Sequence, residues 1–447
     1  MTAMQIGCAG ATELDRLDLG AQMTEEQVEY LGMDCLAERT LALAQLRRLV
    51  DPDSGYNSVL EERMRGMLPG LSGNGIRLAT NMGAANPAAA ARAITGVAKE
   101  LGIPGLKLGV VTGDDLFDRL EGLPLRFMET GGGLDSLPGE VVSANAYLGA
   151  EPVAEALDRG ADIVVGGRIG DLSLYLGCMM HHFGWAPDDW HRLGAGSVVA
   201  HLMECGRYVT GGAFDEPAWR KTVPRADDLG FPLAEVLEDA TATLTKQAAR
   251  GGLLSVDTVK AQLVYEVHDP GEYISPDVVI DVRDVRLEQV GPNAVRVTGG
   301  TGRPRTDSLK VLVGVTEGYI AEGEISFAGR GAVAKAEDAR AIVERRLRRQ
   351  GLASRIEALR VDLIGQRSVL GDHTRTARAE SEDIRLRFAA RCAEEAVAQA
   401  LAFEFQDLWF GPAGGGGARS SVRRIISLFS SLVPRAEVPI SVRVEEL

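Results

Sequence analysis

Residues 76–87 read Ile-Arg-Leu-Ala-Thr-Asn-Met-Gly-Ala-Ala-Asn-Pro, a short apolar run that breaks into small and polar residues at its C-terminal end. The same pattern recurs at Leu106–Asp115, at Val141–Tyr147 and at Ile163–Asp171. In parallel α/β sheets, ligands bind at the edge where the strands end. We therefore expect the four endings to form one composite polar pocket.

Strand and helix patterns alternate through the first half of the chain. Pro87–Leu101 is rich in alanine, and the preceding Asn86 supplies a helix cap. This alternation predicts an α/β domain over residues 1–220, with a mostly parallel sheet and helices on both faces. Residues 221–350 predict a strand-rich region packed on it, with a hairpin around Glu317-Gly318. Residues 351–447 predict a small α+β domain.

Composition excludes several classes of protein. The chain has 447 residues and a net charge of −15, which argues against a nucleic-acid partner because phosphate contacts need clustered Lys and Arg. No apolar run approaches the roughly 20 residues that cross a bilayer, so we expect no membrane partner. Five widely spaced cysteines and the lack of a secretory signal indicate reduced thiols in a cytoplasmic protein.

The polar residues at the predicted strand ends are the main candidates for a site. The amides and the arginine suit substrate binding: Asn81, Asn86, Asn145 and Arg168. The carboxylates suit a general base or a hard cation: Asp114, Asp115 and Asp171. The alternative is that these residues serve as caps and turns, as Asn86 does in either case.

Three further features carry weaker signals. Cys35 precedes a predicted helix and is a candidate nucleophile with Asp34 and Glu38 as acid–base partners, although most free cysteines are buried small hydrophobic residues. The run Gly414, Gly415, Gly416 and Gly417 precedes arginines and suits a phosphate-bearing ligand such as a CoA thioester, or is a flexible connector. His201 and Cys205 share a helix face, but two ligands do not make a metal site.

Several longer stretches of the chain resemble the acyclic terpene utilisation (AtuA) family. The matching stretches are Cys35–Thr40, Thr80–Pro87, Gly113–Asp115, Ser143–Ala150, Gly167-Arg168 with Asp171, His201–Gly206, Thr210–Gly212, Tyr265–Pro270, Pro276–Val278 and Gly411–Gly417. The resemblance implies a main domain followed by a ferredoxin-like segment, here residues 351–447. It also implies a setting in the breakdown of branched terpenoid acids as CoA thioesters, and supplies no catalytic residues.

These observations predict an enzyme of small-molecule catabolism that acts on an acyl or carboxylate substrate by acid–base chemistry, as a lyase, hydratase or hydrolase. CoA would enter as part of the substrate, and the sequence leaves open whether a divalent metal is bound. We expect a small-molecule substrate and a homo-oligomer. The alternatives are a non-catalytic subunit of a catabolic complex and a metal-dependent hydrolase that uses Asp114, Asp115 and Asp171.

Overall fold

The computed structural model describes residues 3–216, 218, 221–366, 368–373, 381–411 and 414–446. The chain forms two compact units. The first contains Met1–Ser136, Val142–Gly314 and Leu428–Leu447, and the second contains Leu137–Val141 and Val315–Ser427. These units differ from the three ranges expected from the sequence, because the chain leaves the first unit and later returns to it.

The described residues contain these strands: β1 (Ala3–Gly10), β2 (Tyr30–Met33), β3 (Arg77–Thr80), β4 (Lys107–Thr112), β5 (Glu140–Ala146), β6 (Ile163–Gly166), β7 (Pro232–Leu237), β8 (Ala242–Lys246), β9 (Tyr273–Ile274), β10 (Val279–Asp281), β11 (Arg286–Gly291), β12 (Ala294–Thr298), β13 (Thr301–Arg303), β14 (Ser308–Ala328), β15 (Ile356–Ile364), β16 (Asp383–Cys392), β17 (Gly416–Pro434) and β18 (Ser441–Glu446). The α-helices are α1 (Leu17–Met23), α2 (Glu38–Val50), α3 (Leu60–Asn74), α4 (Pro87–Leu101), α5 (Glu151–Asp158), α6 (Asp171–Phe183), α7 (Trp190–Glu204), α8 (Val256–Leu263), α9 (Ala332–Arg349) and α10 (Glu395–Asp407).

A ten-stranded sheet forms the centre of the first unit, in the order β11-β12-β8-β7-β1-β2-β3-β6-β4-β18. The five strands from β1 to β4 in this order pair in parallel. The strands on either side of them pair antiparallel. The sheet is therefore mixed, and the prediction of a mostly parallel sheet holds only for its central part.

The direction in which the chain moves from one parallel strand to the next determines which face of the sheet each connecting helix covers. The connections β1–β2, β2–β3 and β3–β4 all move one way, whereas β4–β6 moves back. Because such crossovers are right-handed, α1, α3 and α4 lie on one face and α5, α6 and α7 on the other. Contacts agree with this division, since α3 packs on α1 and α4, and α6 packs on α5 and α7. Helices thus cover both faces of this part of the sheet.

Helix α4 shows how the local sequence sets an element next to the strand ends. The side-chain oxygen of Asn86 accepts a hydrogen bond from the backbone N–H of Ala89, and Pro87 occupies the first turn. Gly102 ends the helix in the left-handed conformation, with a φ of 65°. The helix bounds are those predicted from the sequence.

Elements of the second unit follow one another as β14, α9, β15, β16, α10 and β17, with the sheet order β15-β16-β14-β17. This α+β arrangement starts well before residue 351. The core of the unit includes Ile325, Phe388 and Phe405, which are almost completely buried.

Three expectations about strands are wrong. No hairpin forms around Glu317-Gly318, because β14 runs continuously from Ser308 to Ala328 and Gly318, with a φ of 95°, does not reverse it. The last strand, β18, pairs with β4 in the large sheet and is not part of the small α+β unit. β5, the strand that carries Asn145, pairs with β14 and lies outside the ten-stranded sheet.

Candidate functional site

The candidate site lies in the first unit, where β3 and β6 are neighbours in the sheet. The chain leaves β3 toward α4 and leaves β6 toward α6, which lie on opposite faces. Such a change of direction opens a crevice at the carboxyl ends of the strands, the usual ligand site of α/β sheets. A Cβ atom on Gly83 would lie 2.5 Å from the Gly166 carbonyl oxygen, so only glycine lets the loop after β3 approach β6 this closely.

A buried charge centre occupies this crevice, and we call Asp34, Asn81, Arg168 and Asp171 the Arg168 cluster. The Arg168 side chain is 1% exposed, whereas that of Asp171 is 37% exposed. The guanidinium donates hydrogen bonds to the Leu36 carbonyl oxygen and to the Asp171 carboxylate. Burial alone would lower the pKa of Arg168, but the carboxylates around it, Asp171 first, raise it. The arginine is therefore a permanent cation inside the protein.

Asp34 is the buried carboxyl group of the cluster. Asn81 donates a hydrogen bond of 2.6 Å from its side-chain nitrogen to Asp34 Oδ1, and its own oxygen accepts one of 2.9 Å from the backbone N–H of Cys35. Burial and then the charge of Asp171 raise the pKa of Asp34 to about 7, although Arg168 and Asn81 oppose the shift. A carboxyl group with this pKa exchanges its proton near neutral pH, as a general acid or base must.

Behind the cluster, Asp114 and Asn145 hold the backbone of Arg168 in place. Asp114 Oδ2 accepts hydrogen bonds of 2.9 Å from the backbone N–H of Arg168 and from the side-chain nitrogen of Asn145. Burial raises the pKa of Asp114 to about 6, while these two hydrogen bonds oppose the shift. Asp114 thus positions the Arg168 backbone directly, and Asn145 does so through Asp114. The Asp114 Oδ2 atom that accepts both hydrogen bonds is occupied by protein donors.

A cavity of about 230 Å³ opens beside the Arg168 cluster. Its polar lining includes Glu38, Tyr147, Asp171, Tyr273 and Lys310. Its apolar lining consists of Leu172, Ile274, Pro276, Leu309 and Leu432. A concave site with apolar walls and a few convergent polar groups is the usual form of a small-molecule site.

Tyr147 connects the cavity to the buried arginine. Its hydroxyl donates a hydrogen bond of 2.6 Å to Glu38 Oε1, and its ring lies 4.3 Å from the Arg168 guanidinium carbon. The Lys310 ammonium lies 4.8 Å from the centre of the same ring. Burial would raise the pKa of Glu38, but the Tyr147 hydrogen bond and the nearby cations outweigh it and lower that pKa. Glu38 is accordingly an anion at neutral pH.

A second group of buried polar side chains adjoins the cavity at Tyr273. The ring of His201 packs edge-on against the Tyr273 ring at 5.5 Å, and His201 Nδ1 lies 3.6 Å from Glu204 Oε1. Burial lowers the pKa of His201 to about 4, whereas burial and then Asp171 raise the pKa of Glu204 well above its usual value. Burial, Glu204 and Asp171 also raise the pKa of Tyr273, so its hydroxyl keeps its proton.

Comparison with known proteins assigns the chain to a family. The sequence profile of the acyclic terpene utilisation family protein AtuA matches residues 4–444.

The chain belongs to the AtuA family.

No curated protein matches the chain. Among solved structures, it is similar to a homoserine dehydrogenase from Thiobacillus denitrificans, with 10% identity, a TM-score of 0.16, and coverage of 92% of this chain and 84% of the other.

Some stretches that carry the AtuA resemblance have plain structural roles. Asn86 caps α4, and its side-chain nitrogen donates to the carbonyl oxygens of Pro52 and Ser54. Asp115 forms an ion pair of 2.7 Å with Arg48. Asn86 therefore serves as a helix cap through its side-chain oxygen and anchors the loop at Pro52–Ser54 through its side-chain nitrogen.

Cys35, the predicted nucleophile, is 1% exposed. Burial raises the pKa of its thiol, and Arg63 only partly opposes this. An attacking cysteine needs a lowered pKa and access to substrate, so the structure does not favour this role. Cys35 contributes its backbone N–H to Asn81 instead.

The glycine run of the AtuA-family chain lies in the second unit, where Gly416 begins β17. Gly414, Gly415 and Gly416 line a shallow cavity with Lys335 and Asp383. The arginines that follow are partly engaged, since Arg419 and Arg423 pair with Glu324 and Glu322 at 4.0 and 3.3 Å. Binding of a phosphate group by Gly414–Gly417 stays a prediction.

The carboxylates of the metal-dependent alternative bind protein donors. Within the residues that the structure describes, no three His, Cys, Asp or Glu side chains are placed to hold a metal ion together. Each of the three carboxylates binds a protein donor instead: Asp114 binds the Arg168 backbone N–H, Asp115 binds Arg48, and Asp171 binds the Arg168 guanidinium. None of the described helices combines the length and the apolar character needed to cross a membrane.

Sequence reasoning missed part of the site. Tyr147 lies inside one of the quoted family stretches, so its position was a usable signal. Tyr273 and Lys310 follow no strand-end pattern and reach the cavity from distant parts of the chain. Glu204 was visible only as the residue between His201 and Cys205, and its burial could not be read from the sequence.

Proposed function

We propose that this AtuA-family protein is an enzyme of small-molecule catabolism that acts on an acyl or carboxylate substrate by acid–base chemistry. The observation that carries the proposal is the Arg168 cluster, in which a buried arginine and two carboxyl groups meet beside a cavity at the sheet's change of direction. Strongly shifted pKa values in such a cleft are typical of catalytic sites.

Asp171 is the group that we assign as the substrate-facing base. It lines the cavity and is partly exposed, while Arg168 fixes its carboxylate from behind. Asp34 is buried behind it, and burial and then the charge of Asp171 raise the pKa of Asp34 to about 7. Asp34 is thus a second carboxyl group near the base, with a pKa that lets it hold a proton near neutral pH.

Tyr273 is the group that we assign as the proton donor. Its phenol lines the same cavity and remains protonated because of burial and the neighbouring carboxylates Glu204 and Asp171. A base and a protonated phenol at one cavity suit removal of a proton from carbon and donation of one to a leaving oxygen, as in a lyase or hydratase, or removal of a proton from an attacking water, as in a hydrolase. The Glu38–Tyr147 pair would orient the substrate between them.

The test is to incubate the purified protein with saturated, 2-enoyl and 3-hydroxyacyl CoA thioesters and to follow products by mass spectrometry. Gain or loss of water indicates a hydratase, release of CoA thiol a hydrolase, and carbon–carbon cleavage a lyase. Asp171→Asn should lower the rate by about 100-fold or more. Asp53→Asn, which removes an exposed carboxylate, is the matched control.

Absence of turnover with every thioester would count against the proposal and favour a non-catalytic subunit. Equal rates for Asp171→Asn and Asp53→Asn would reject the assigned base. Tyr273→Phe separates the donor from the base, because it removes only the phenolic hydroxyl group and should leave binding intact.

A further inference from the structure

A buried acid adjoins the tyrosine that we assign as the proton donor. Glu204 ends helix α7, and its side chain is 10% exposed. Its Oε1 atom accepts hydrogen bonds of 3.0 Å from Cys205 Sγ and 3.4 Å from Gln262 Nε2, and both donors are uncharged. Among the described residues, no lysine or arginine pairs with Glu204. A buried charge without a cation is costly, so this site favours the neutral acid.

The charges around Glu204 act in the same direction. Burial and then the charges of Asp171 and Asp34 raise the pKa of Glu204 well above its usual value. The Cys205 hydrogen bond opposes this shift, and the exposed Glu266 adds to it. Glu204 therefore keeps a proton that the reaction assigned to Asp171 and Tyr273 does not use.

His201 contacts both this acid and Tyr273. Its Nδ1 atom lies 3.6 Å from Glu204 Oε1, and its ring packs edge-on against the Tyr273 ring at 5.5 Å and 71°. Neither ring nitrogen makes a hydrogen bond of good geometry with a described residue. Burial lowers the pKa of His201 to about 4, so the ring stays neutral at neutral pH. His201 is thus suited to hold its two neighbours by packing, and a poor carrier of protons.

Tyr273 connects the buried acid to the cavity. The phenol lines the cavity, whereas Glu204 does not. Besides burial, the charge of Glu204 raises the pKa of Tyr273 most, ahead of Asp171, Glu266 and Cys205. A carboxylic acid is ordinarily a stronger acid than a phenol, so a tyrosinate formed beside Glu204 would take its proton.

We propose that Glu204 is the proton reserve of Tyr273, and that His201 is a positioning residue that holds the two together. When Tyr273 gives its proton to the leaving oxygen, the O–H bond of Glu204 breaks and that of Tyr273 forms again. The Glu204 carboxylate then recovers a proton from Asp171, which took it from the substrate or from water. This inference rests on the proposed function for its reaction.

Infrared spectroscopy tests the reserve without turnover. At pH 8, where Asp34 with its pKa of about 7 is mostly ionised, the wild type should show the carbonyl stretch of a neutral carboxyl group. Glu204→Gln should lose this band. Glu62→Gln, which changes an exposed glutamate of α3, is the matched control and should keep it.

Rapid mixing with a thioester that the protein turns over tests the role of the reserve. Glu204→Gln should complete its first turnover at about the wild-type rate, because Tyr273 already carries its proton. Later turnovers should be about tenfold slower or more, because Tyr273 must be recharged from solvent. Tyr273→Phe should slow the first turnover and the later ones alike.

Histidine variants test the positioning residue. His201→Phe keeps a ring against Tyr273 and should keep the rate of the first turnover within about twofold. His201→Ala removes the ring and should slow that turnover by about tenfold. His191→Ala, which changes an exposed histidine of the same helix, is the matched control.

The proposal is overturned if Glu204→Gln keeps the infrared band, slows the first turnover as much as the later ones, or slows none of them. Equal losses for His201→Phe and His201→Ala reject the positioning role of His201. Each of these results is obtained with a protein that turns over a thioester, so the proposed function stands. Absence of turnover rejects the proposed function, and the reserve with it.

Discussion

Replacement of Arg168 by methionine should destabilise the protein by about 3 kcal/mol at pH 8. Breaking a buried ion pair costs about 3–5 kcal/mol, because the remaining charge is left without compensation. Asp171 is 37% exposed and can be rehydrated, so its share is small, whereas Asp34 and the Leu36 carbonyl oxygen stay buried. The loss therefore belongs at the lower end of that range. Urea unfolding of Arg168→Met and of the wild type gives the difference directly.

The same variant has a pH dependence that tests the reasoning. At pH 5.5, Asp34 with its pKa of about 7 is mostly protonated, and removal of the arginine then leaves less uncompensated charge. The loss should be smaller than at pH 8 by roughly 1 kcal/mol. Arg92→Met, which breaks an exposed pair with Asp53, should cost at most about 1 kcal/mol at either pH. A loss for Arg168→Met no greater than for Arg92→Met, or one that grows on acidification, would refute the argument.

Other predictions concern single positions. The wild type should lose stability between about pH 4 and pH 7, because the raised pKa of Asp34 makes the folded protein bind this proton more tightly than the unfolded chain, and that advantage is lost as pH rises. Asp34→Asn should remove this fall in stability. Urea midpoints across this range measure it, and an unchanged profile contradicts it. Cys35→Ala should keep kcat/KM within about twofold, because the buried thiol acts as a small apolar side chain; a large loss would restore Cys35 as a nucleophile. Gly32→Ala should cost about 1–3 kcal/mol, since its Cβ would lie 2.4 Å from the Tyr175 ring. The control Gly96→Ala, with nothing within 4 Å of its Cβ, should gain about 0.5–1 kcal/mol, and similar midpoints for the two variants would contradict both.

The local part of the fold was predictable from the sequence because local signals decide it. Helix α4 has a cap, a first-turn proline and a terminal glycine, and its bounds were predicted correctly. The partners of a strand depend on residues far away in the chain, and no local signal specifies them. For this reason, the sequence did not reveal that β18 pairs with β4 or that β14 continues past Gly318.

The same distinction between local signals and long-range contacts applies to the residues of the candidate site. Asn81, Arg168 and Asp171 could be predicted because each follows a parallel strand, and the parallel strands of a sheet end at one edge. Asp114 and Asn145 were expected to contact substrate, but Asp114 is buried and accepts hydrogen bonds from the Arg168 backbone N–H and from the Asn145 side chain. Asp34 was predicted as an acid–base partner of Cys35, but its raised pKa and that of Tyr273 come from burial and neighbouring charges, which depend on the assembled fold.

The pairing of β4 with β18 has a consequence for how the protein is made. β4 is complete at residue 112, but its outer neighbour begins at residue 441, so the ribosome must add more than three hundred residues before that edge is covered. Throughout this interval, the N–H and C=O groups on one side of β4 are open to other chains, as on any unprotected strand edge. The nascent protein therefore passes through a long stage in which its largest sheet is vulnerable to misassembly, and slow translation should lengthen that stage.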